Sequence, residues 1–186
     1  MDQNTRKKLI SFIREKSYRT GDFTLTSGKK SSFYIDLKTT TLHPEGARLI
    51  GQLACELLDE TGIKIDAVGG LTLGADPLAT AISLAALARG DVWPAFIVRK
   101  ESKGHGTGRF IEGVENLKAT ANVIVLEDVV TTGGSSIQAI EHLRDAGYHP
   151  VATLTVVDRN QGGREAIENL GVKFFSLATI EEIQKL

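Results

Sequence analysis

The stretch VIVLEDVVTTGGSS occupies residues 123–136. Val123 to Leu126 is an apolar run of the kind that forms a strand buried on both faces of a parallel sheet. Glu127 and Asp128 follow at its carboxyl end. Thr131, Thr132, Gly133, Gly134 and Ser135 then form a turn into the helix GSSIQAIEHLRDAG, residues 134–147. Small residues let an anion approach the backbone, hydroxyls add donors, and a helix N-terminus favours negative charge. The acidic pair cannot bind phosphate directly. It suits sugar hydroxyls, a cation or a ring that gains positive charge. The segment therefore reads as a site for ribose carrying a 5′-phosphate. A strand–loop–helix corner without a ligand has the same outline, because such loops abound in α/β folds.

Outward from this segment the chain alternates between strand and helix. IDAVGG (65–70) reads as a short strand and LGADPLATAISLAALA (73–88) as an Ala-rich helix. PAFIVRK (94–100), ANVIVLEDVV (121–130), VATLTVVD (151–158) and VKFFSLAT (172–179) read as strands. GREAIENLG (163–171) reads as a helix between the last two. This order predicts an α/β fold with a mostly parallel central sheet flanked by helices. Residues 4–17 read as an amphipathic helix, and Phe23–Leu25 and Phe33–Leu37 as short strands around the turn Ser27–Lys30. A helix opens at His43-Pro44-Glu45. The first part does not fit the alternation. It predicts a small N-terminal hood over about residues 1–40, on an α/β core over about 41–186, the whole forming a single domain of 186 residues.

In an open parallel sheet, ligands bind beyond the carboxyl ends of the strands. That rule brings four loops to one rim: Gly69–Thr72, Arg99-Lys100, Glu127–Ser135 and Asp158-Arg159. No Walker A loop is present, and no G-x-G-x-x-G follows a first strand.

Composition narrows the class. Hydrophobic residues make up 41% and charged residues 24%, which excludes a disordered chain. The 22 basic and 23 acidic residues give a formal charge of −1, so no global basic field marks a nucleic-acid binder. Cys55 is the single cysteine, which excludes an intrachain disulfide and a cysteine-based zinc site. No signal-peptide pattern and no membrane-length apolar run occur. The expected setting is cytoplasmic, with no membrane partner.

VIVLEDVVTTGGSS resembles the 5-phosphoribosyl-1-pyrophosphate (PRPP) signature of type I phosphoribosyltransferases: an apolar run, two acids, two apolar residues, then Thr, Gly and Ser. RKESKGHGTG (99–108) resembles the catalytic loop of the orotate phosphoribosyltransferases. SGKKSSFYIDLK, GGLTLGADPLATA and VVDRNQGG resemble that family's base-side, pyrophosphate-side and orotate-carboxylate segments. The resemblance runs in order from about residue 20 to 165.

It implies a type I phosphoribosyltransferase-like fold and the transfer of 5-phosphoribosyl from PRPP to orotate. The products are orotidine 5′-monophosphate and pyrophosphate, within de novo pyrimidine synthesis. It implies PRPP contacts from Arg99, Lys100, Lys103, His105, Glu127, Asp128, Val129, Val130, Thr131, Thr132, Gly133, Gly134 and Ser135. Lys103 and Asp128 are the implied catalytic residues. Thr131, Arg159, Phe33 and Tyr34 are implied on the orotate side, with core packing of the hood the competing role for one of the two aromatics. Mg²⁺ is the implied cofactor, held mainly by substrate and water. A homodimer is implied, its mobile loop 100–110 reaching the neighbouring subunit's site.

The chemistry of the residues agrees. Displacing pyrophosphate at the anomeric carbon passes through an oxocarbenium-like state, as glycosyl transfers do. The leaving group gains negative charge, and Arg99, Lys100, Lys103 and His105 supply cations within seven residues. An Arg fork at 159 suits a carboxylate. The sequence departs from the family where some members carry lysine: Thr26 precedes the Ser-Gly turn, and Leu71-Thr72-Leu73 stands where an aromatic–lysine pair occurs. Two other readings compete. A purine phosphoribosyltransferase would seek aromatic stacking and carbonyl contacts in place of a carboxylate-seeking Arg. A PRPP-sensing regulator of nucleic acid would need a basic face.

Overall fold

The protein is described from a computed structural model, covering residues 1–24, 30–101 and 110–186. Residues 25–29, with Thr26 and most of the expected turn Ser27–Lys30, lie outside the described residues. So does the segment 102–109, with Lys103 and His105.

Eight strands are described. β1 (Tyr18–Thr24) and β2 (Lys30–Ile35) form an antiparallel pair of their own. The others are β3 (Ala67–Leu71), β4 (Ala95–Val98), β5 (Ile111–Glu112), β6 (Asn122–Val130), β7 (His149–Asp158) and β8 (Lys173–Thr179). They make one six-stranded sheet in the order β5-β4-β3-β6-β7-β8. All its neighbours run parallel except the short edge strand β5, which is antiparallel to β4. Sequence alternation foretold the parallel strands. It did not foretell β5, whose two residues are too few to show a period.

The helices are α1 (Gln3–Lys16), α2 (Lys38–Thr41), α3 (Pro44–Thr61), α4 (Asp76–Leu87), α5 (Gly134–Asp145), α6 (Gly163–Glu168) and α7 (Ile180–Gln184). Pro44 starts α3 and Gly62 stops it at φ +64°, the left-handed conformation that glycine adopts without a Cβ penalty. Asp2 caps α1 by accepting from the Thr5 amide. Thr179 and Glu182 cap α7 reciprocally.

Helix α1, part of the expected hood, is packed into the core. Leu9 and Ile13 are fully buried in the same cluster as Leu53 and Leu58 of α3 and Ile183 of α7. Burying such a side chain contributes about 1.5–3 kcal/mol. Arg6 of α1 also bonds the Leu177 carbonyl at 2.9 Å and Glu182 at 2.7 Å, tying the helix to the end of β8. The hairpin β1–β2 alone stands outside the six-stranded sheet.

The chain enters this sheet at β3, moves out through β4 to β5, then returns to place β6 on the other side of β3. The two halves therefore diverge between β3 and β6, and the crevice at such a switch point is where α/β sheets hold ligands. Strand lengths widen it. The β3–β6 ladder ends at Gly69 and Val125, while β6 continues along β7 to Val130 and Asp158. Glu127 and Asp128 lie on this overhanging part of β6.

Candidate active site

Close backbone approach builds the floor of the crevice. A Cβ at Gly70 would collide with the Leu126 carbonyl, so glycine lets β3 pack against β6. Gly74, in the loop after β3, would place a Cβ 2.7 Å from Asp128 Oδ1 and 3.0 Å from Glu127 Oε1. The acidic pair thus sits against bare backbone. Thr72 of the same loop donates to Asp76 Oδ2 at 2.8 Å, which fastens the loop to the first turn of α4.

Glu127 is buried and Asp128 half-buried. The Asp128 amide donates to Glu127 Oε1 at 3.3 Å, and the Val129 amide donates to Asp128 Oδ1 at 2.9 Å. Glu127 Oε2 is buried and has no hydrogen-bond partner among the described residues. Burial, and then the Asp128 charge, push the Glu127 carboxyl up to about 8, with Lys100 pulling the other way. A carboxyl held in that state asks for a hydroxyl or a cation.

Two cavities flank this pair. The first, about 210 Å³, is lined by Glu127, Val129, Val130 and the turn Thr131–Ser136. Gly133 caps α5 at φ +83°, a conformation glycine adopts without a Cβ penalty, and the helix start that follows it lines the cavity. The turn is backed by Gly163, where a Cβ would meet the Thr131 carbonyl at 2.8 Å and the Gly133 nitrogen at 3.1 Å. The second cavity, also about 210 Å³, lies on the other side, between Lys38, the 71–74 loop, Lys100, Glu127, Asp128 and Ser135. Small and hydroxyl-bearing residues line the first cavity and two lysines the second, with the acids between them.

Arg159 follows β7. Its amide donates to the Val130 carbonyl at 2.9 Å, which sets it beside the turn after β6. Its guanidinium lies 4.9 Å from the Phe33 ring centroid, and Phe33 stacks on Tyr18 at 5.5 Å. Arg159 Nε is buried and has no hydrogen-bond partner among the described residues, and burial lowers the Arg159 pKa. Asp158, fully buried, accepts from the Asn160 amide at 2.8 Å and pairs with Arg164 at 3.6 Å. Its charge is thereby committed away from Arg159.

The structure gathers most of the residues expected from the sequence. Glu127 through Ser135 surround the first cavity or separate it from the second. Lys100 reaches the second. Arg99 lines neither: its guanidinium pairs with Glu112 of β5 at 3.1 Å. Phe33 and Tyr34 fall on opposite sides of β2, whose exposure alternates residue by residue. Phe33 is inside with Arg159, and Tyr34 is 46% exposed against Phe23. Gly74, in the segment expected on the pyrophosphate side, borders the acidic pair. Lys38 and Gly163 also border the site and were not singled out, though each ends a segment that carries the resemblance.

The sequence model of the phosphoribosyl transferase domain matches residues 37–181. An orotate phosphoribosyltransferase of Nostoc sp. is 47% identical over 97% of this chain and 85% of its own length. The chain belongs to the orotate phosphoribosyltransferase family. The family's fold is equally plain in solved structures. An orotate phosphoribosyltransferase of Mycobacterium tuberculosis, solved with Fe(III) dicitrate, superposes with a TM-score of 0.84 at 41% identity, covering 96% of this chain and 98% of that one. The same enzyme solved with PRPP gives a TM-score of 0.80 at 38% identity, covering 97% and 99%. The type I phosphoribosyltransferase fold expected from the β6 segment is therefore the fold of this protein. Among the described residues no helix is long and apolar enough to cross a membrane.

Proposed function

We propose that this protein transfers the 5-phosphoribosyl group of PRPP to orotate, releasing orotidine 5′-monophosphate and pyrophosphate, as a step of pyrimidine nucleotide synthesis in the cytoplasm. The observation that carries the choice of base is Arg159. A half-buried guanidinium, with an unpartnered buried Nε and a neighbouring aromatic ring, fits a flat ring bearing a carboxylate. A neutral purine offers that fork no carboxylate.

The 5′-phosphate fits the first cavity, with the turn amides and the hydroxyls of Thr131, Thr132 and Ser135 as donors. The ribose hydroxyls fit Glu127 and Asp128, and Thr131 stands between phosphate and base. The diphosphate fits the second cavity. In the reaction the bond from the anomeric carbon to the diphosphate oxygen breaks, and its electron pair leaves with pyrophosphate. Orotate N1, its proton lost to solvent, forms the new bond to carbon. Asp128 and Glu127 stabilise the positive charge on the ribose ring between these events. Lys103, with Arg99, Lys100 and His105, is assigned to the negative charge on the departing pyrophosphate.

Mg²⁺ fits the same place. The unpartnered Glu127 Oε2 and Asp128 supply hard oxygens, and the described residues hold no cluster of three or more possible metal ligands, so substrate and water would complete its shell. Its chemistry there is to neutralise charge on the diphosphate.

The reading takes the chain as one domain whose hairpin β1–β2 hoods the site. It also includes a homodimer sharing the 100–110 loop. Exposed Leu84 and an apolar groove of about 450 Å³ between α3 and α4 give a second copy a surface to cover.

A panel of bases tests the substrate. With PRPP and Mg²⁺, orotate should turn over, while uracil, which lacks the carboxylate, and adenine or hypoxanthine should not. Turnover of a purine in place of orotate would overturn the assignment of Arg159.

A further inference from the structure

The second cavity has two cationic walls, and only one was visible in the loop after β4. Lys100 comes from that loop. Lys38 comes from α2, directly after the hairpin β1–β2, and lines the same cavity opposite Asp128 and beside Thr72 and Gly74. Among the described residues these two lysines are the only cationic side chains lining either cavity.

The need for Lys38 follows from what the neighbouring loop lacks. Leu71, Thr72, Leu73 and Gly74 carry no charge. Leu71 is buried in the core, Thr72 is engaged with Asp76, and Leu73 is 69% exposed. This loop can offer a diphosphate only backbone amides. A diphosphate beside Asp128 would meet a like charge unless cations stand close by. Lys38 is placed to do this. Its partner is Asp36, whose Oδ1 accepts from Nζ at 3.2 Å, and both side chains are more than a third exposed. Such an exposed pair is weak and exchanges readily for a stronger anion. Burial alone would lower the Lys38 pKa, but the Asp36 bond and the charges of Asp36, Asp128 and Tyr34 outweigh it and raise it. Lys38 thus remains a cation at the mouth of this cavity.

We infer that Lys38 is a diphosphate-binding residue, exchanging Asp36 for the pyrophosphate group of PRPP and holding that group as it departs. The inference rests on the phosphoribosyl-transfer reading of the site. It gives the diphosphate a cation supplied by α2, the short helix that follows the hairpin β1–β2.

Calorimetric titration with inorganic pyrophosphate and, separately, ribose 5-phosphate tests this, both with Mg²⁺. A charge-assisted contact predicts about tenfold or greater weakening of pyrophosphate binding in Lys38→Ala and Lys38→Gln. Ribose 5-phosphate binding should stay within about twofold, since its phosphate uses the other cavity. Lys38→Arg should restore most of the loss, and Asp36→Asn should bind pyrophosphate at least as tightly as the native protein. Unchanged pyrophosphate binding in Lys38→Ala would overturn the inference. So would equal loss of both ligands, or a loss in Asp36→Asn matching that in Lys38→Ala, because either marks a merely structural pair. The parallel assay with orotate separates the two readings. Native turnover with undiminished pyrophosphate binding in Lys38→Ala removes the inference alone. Absent turnover with every base, with a selective loss at Lys38, removes the proposed reaction and leaves the site.

Discussion

The Arg159 guanidinium stands 4.9 Å from the centre of the Phe33 ring. This contact joins the loop after β7 to the hairpin β1–β2, two segments separated by most of the chain. It holds a charged fork against an aromatic ring, with Nε unpartnered among the described residues. Ordering the fork before the base arrives lowers the cost of binding it.

Replacing Arg159 by alanine should therefore cost orotate use selectively. Losing a charge-assisted fork predicts a fall in kcat/KM for orotate of about 10- to 100-fold. Binding of PRPP should change little. Lysine at 159 should not restore activity, because an ammonium lacks the fork. Steady-state kinetics varying each substrate in turn check this.

Phe33→Leu keeps an apolar side chain against Tyr18 but removes the ring beneath Arg159. A cation–π contact of about 0.5–1 kcal/mol predicts a rise of a few-fold in the KM for orotate, with kcat nearly unchanged. Tyr34→Leu, on the opposite side of β2, should leave orotate KM where it is. The ratio of the two KM effects is the readout.

Gly163→Ala tests the backing of the phosphate turn. The new methyl would stand 2.8 Å from the Thr131 carbonyl and 3.1 Å from the Gly133 nitrogen, neither of which is a flexible side-chain end. Overpacking of this kind costs about 1–3 kcal/mol of stability. It should also weaken ribose 5-phosphate binding, measured by calorimetry, because the displaced backbone is the proposed phosphate site.

The Glu127 carboxyl predicts a pH dependence of stability. Its pKa rises from 4.5 to about 8 on folding, through burial and the Asp128 charge. Between those values the unfolded chain has lost the proton and the folded chain retains it. Stability of the ligand-free protein should therefore fall as pH rises through this window and level off above it. Glu127→Gln, which cannot titrate, should flatten that slope in thermal unfolding measured across the window.

Local sequence made the β6–turn–α5 unit legible. Its strand, its acids and its glycines are contiguous, and the physics of an anion site needs only those neighbours. Arg159 was legible for the same reason, one residue beyond a strand end. Lys38 was not, because only the folding of α2 against the rim brings it to a cavity otherwise built from β3, β4 and β6. The sequence placed Arg99 with the PRPP cations, and its pairing with Glu112 depends on the antiparallel return of β5, a strand of two residues. Helix α1 shows an amphipathic face in sequence, but nothing local tells whether that face covers a hood or the core. Leu9 and Ile13 found α3 and α7 through tertiary packing.

The reaction itself can be measured directly. Purified protein mixed with orotate, PRPP and Mg²⁺ should convert orotate to orotidine 5′-monophosphate, resolved by chromatography, with one pyrophosphate released per nucleotide formed. Pyrophosphate released without the nucleotide, or no consumption of orotate by folded protein that binds PRPP, would contradict it.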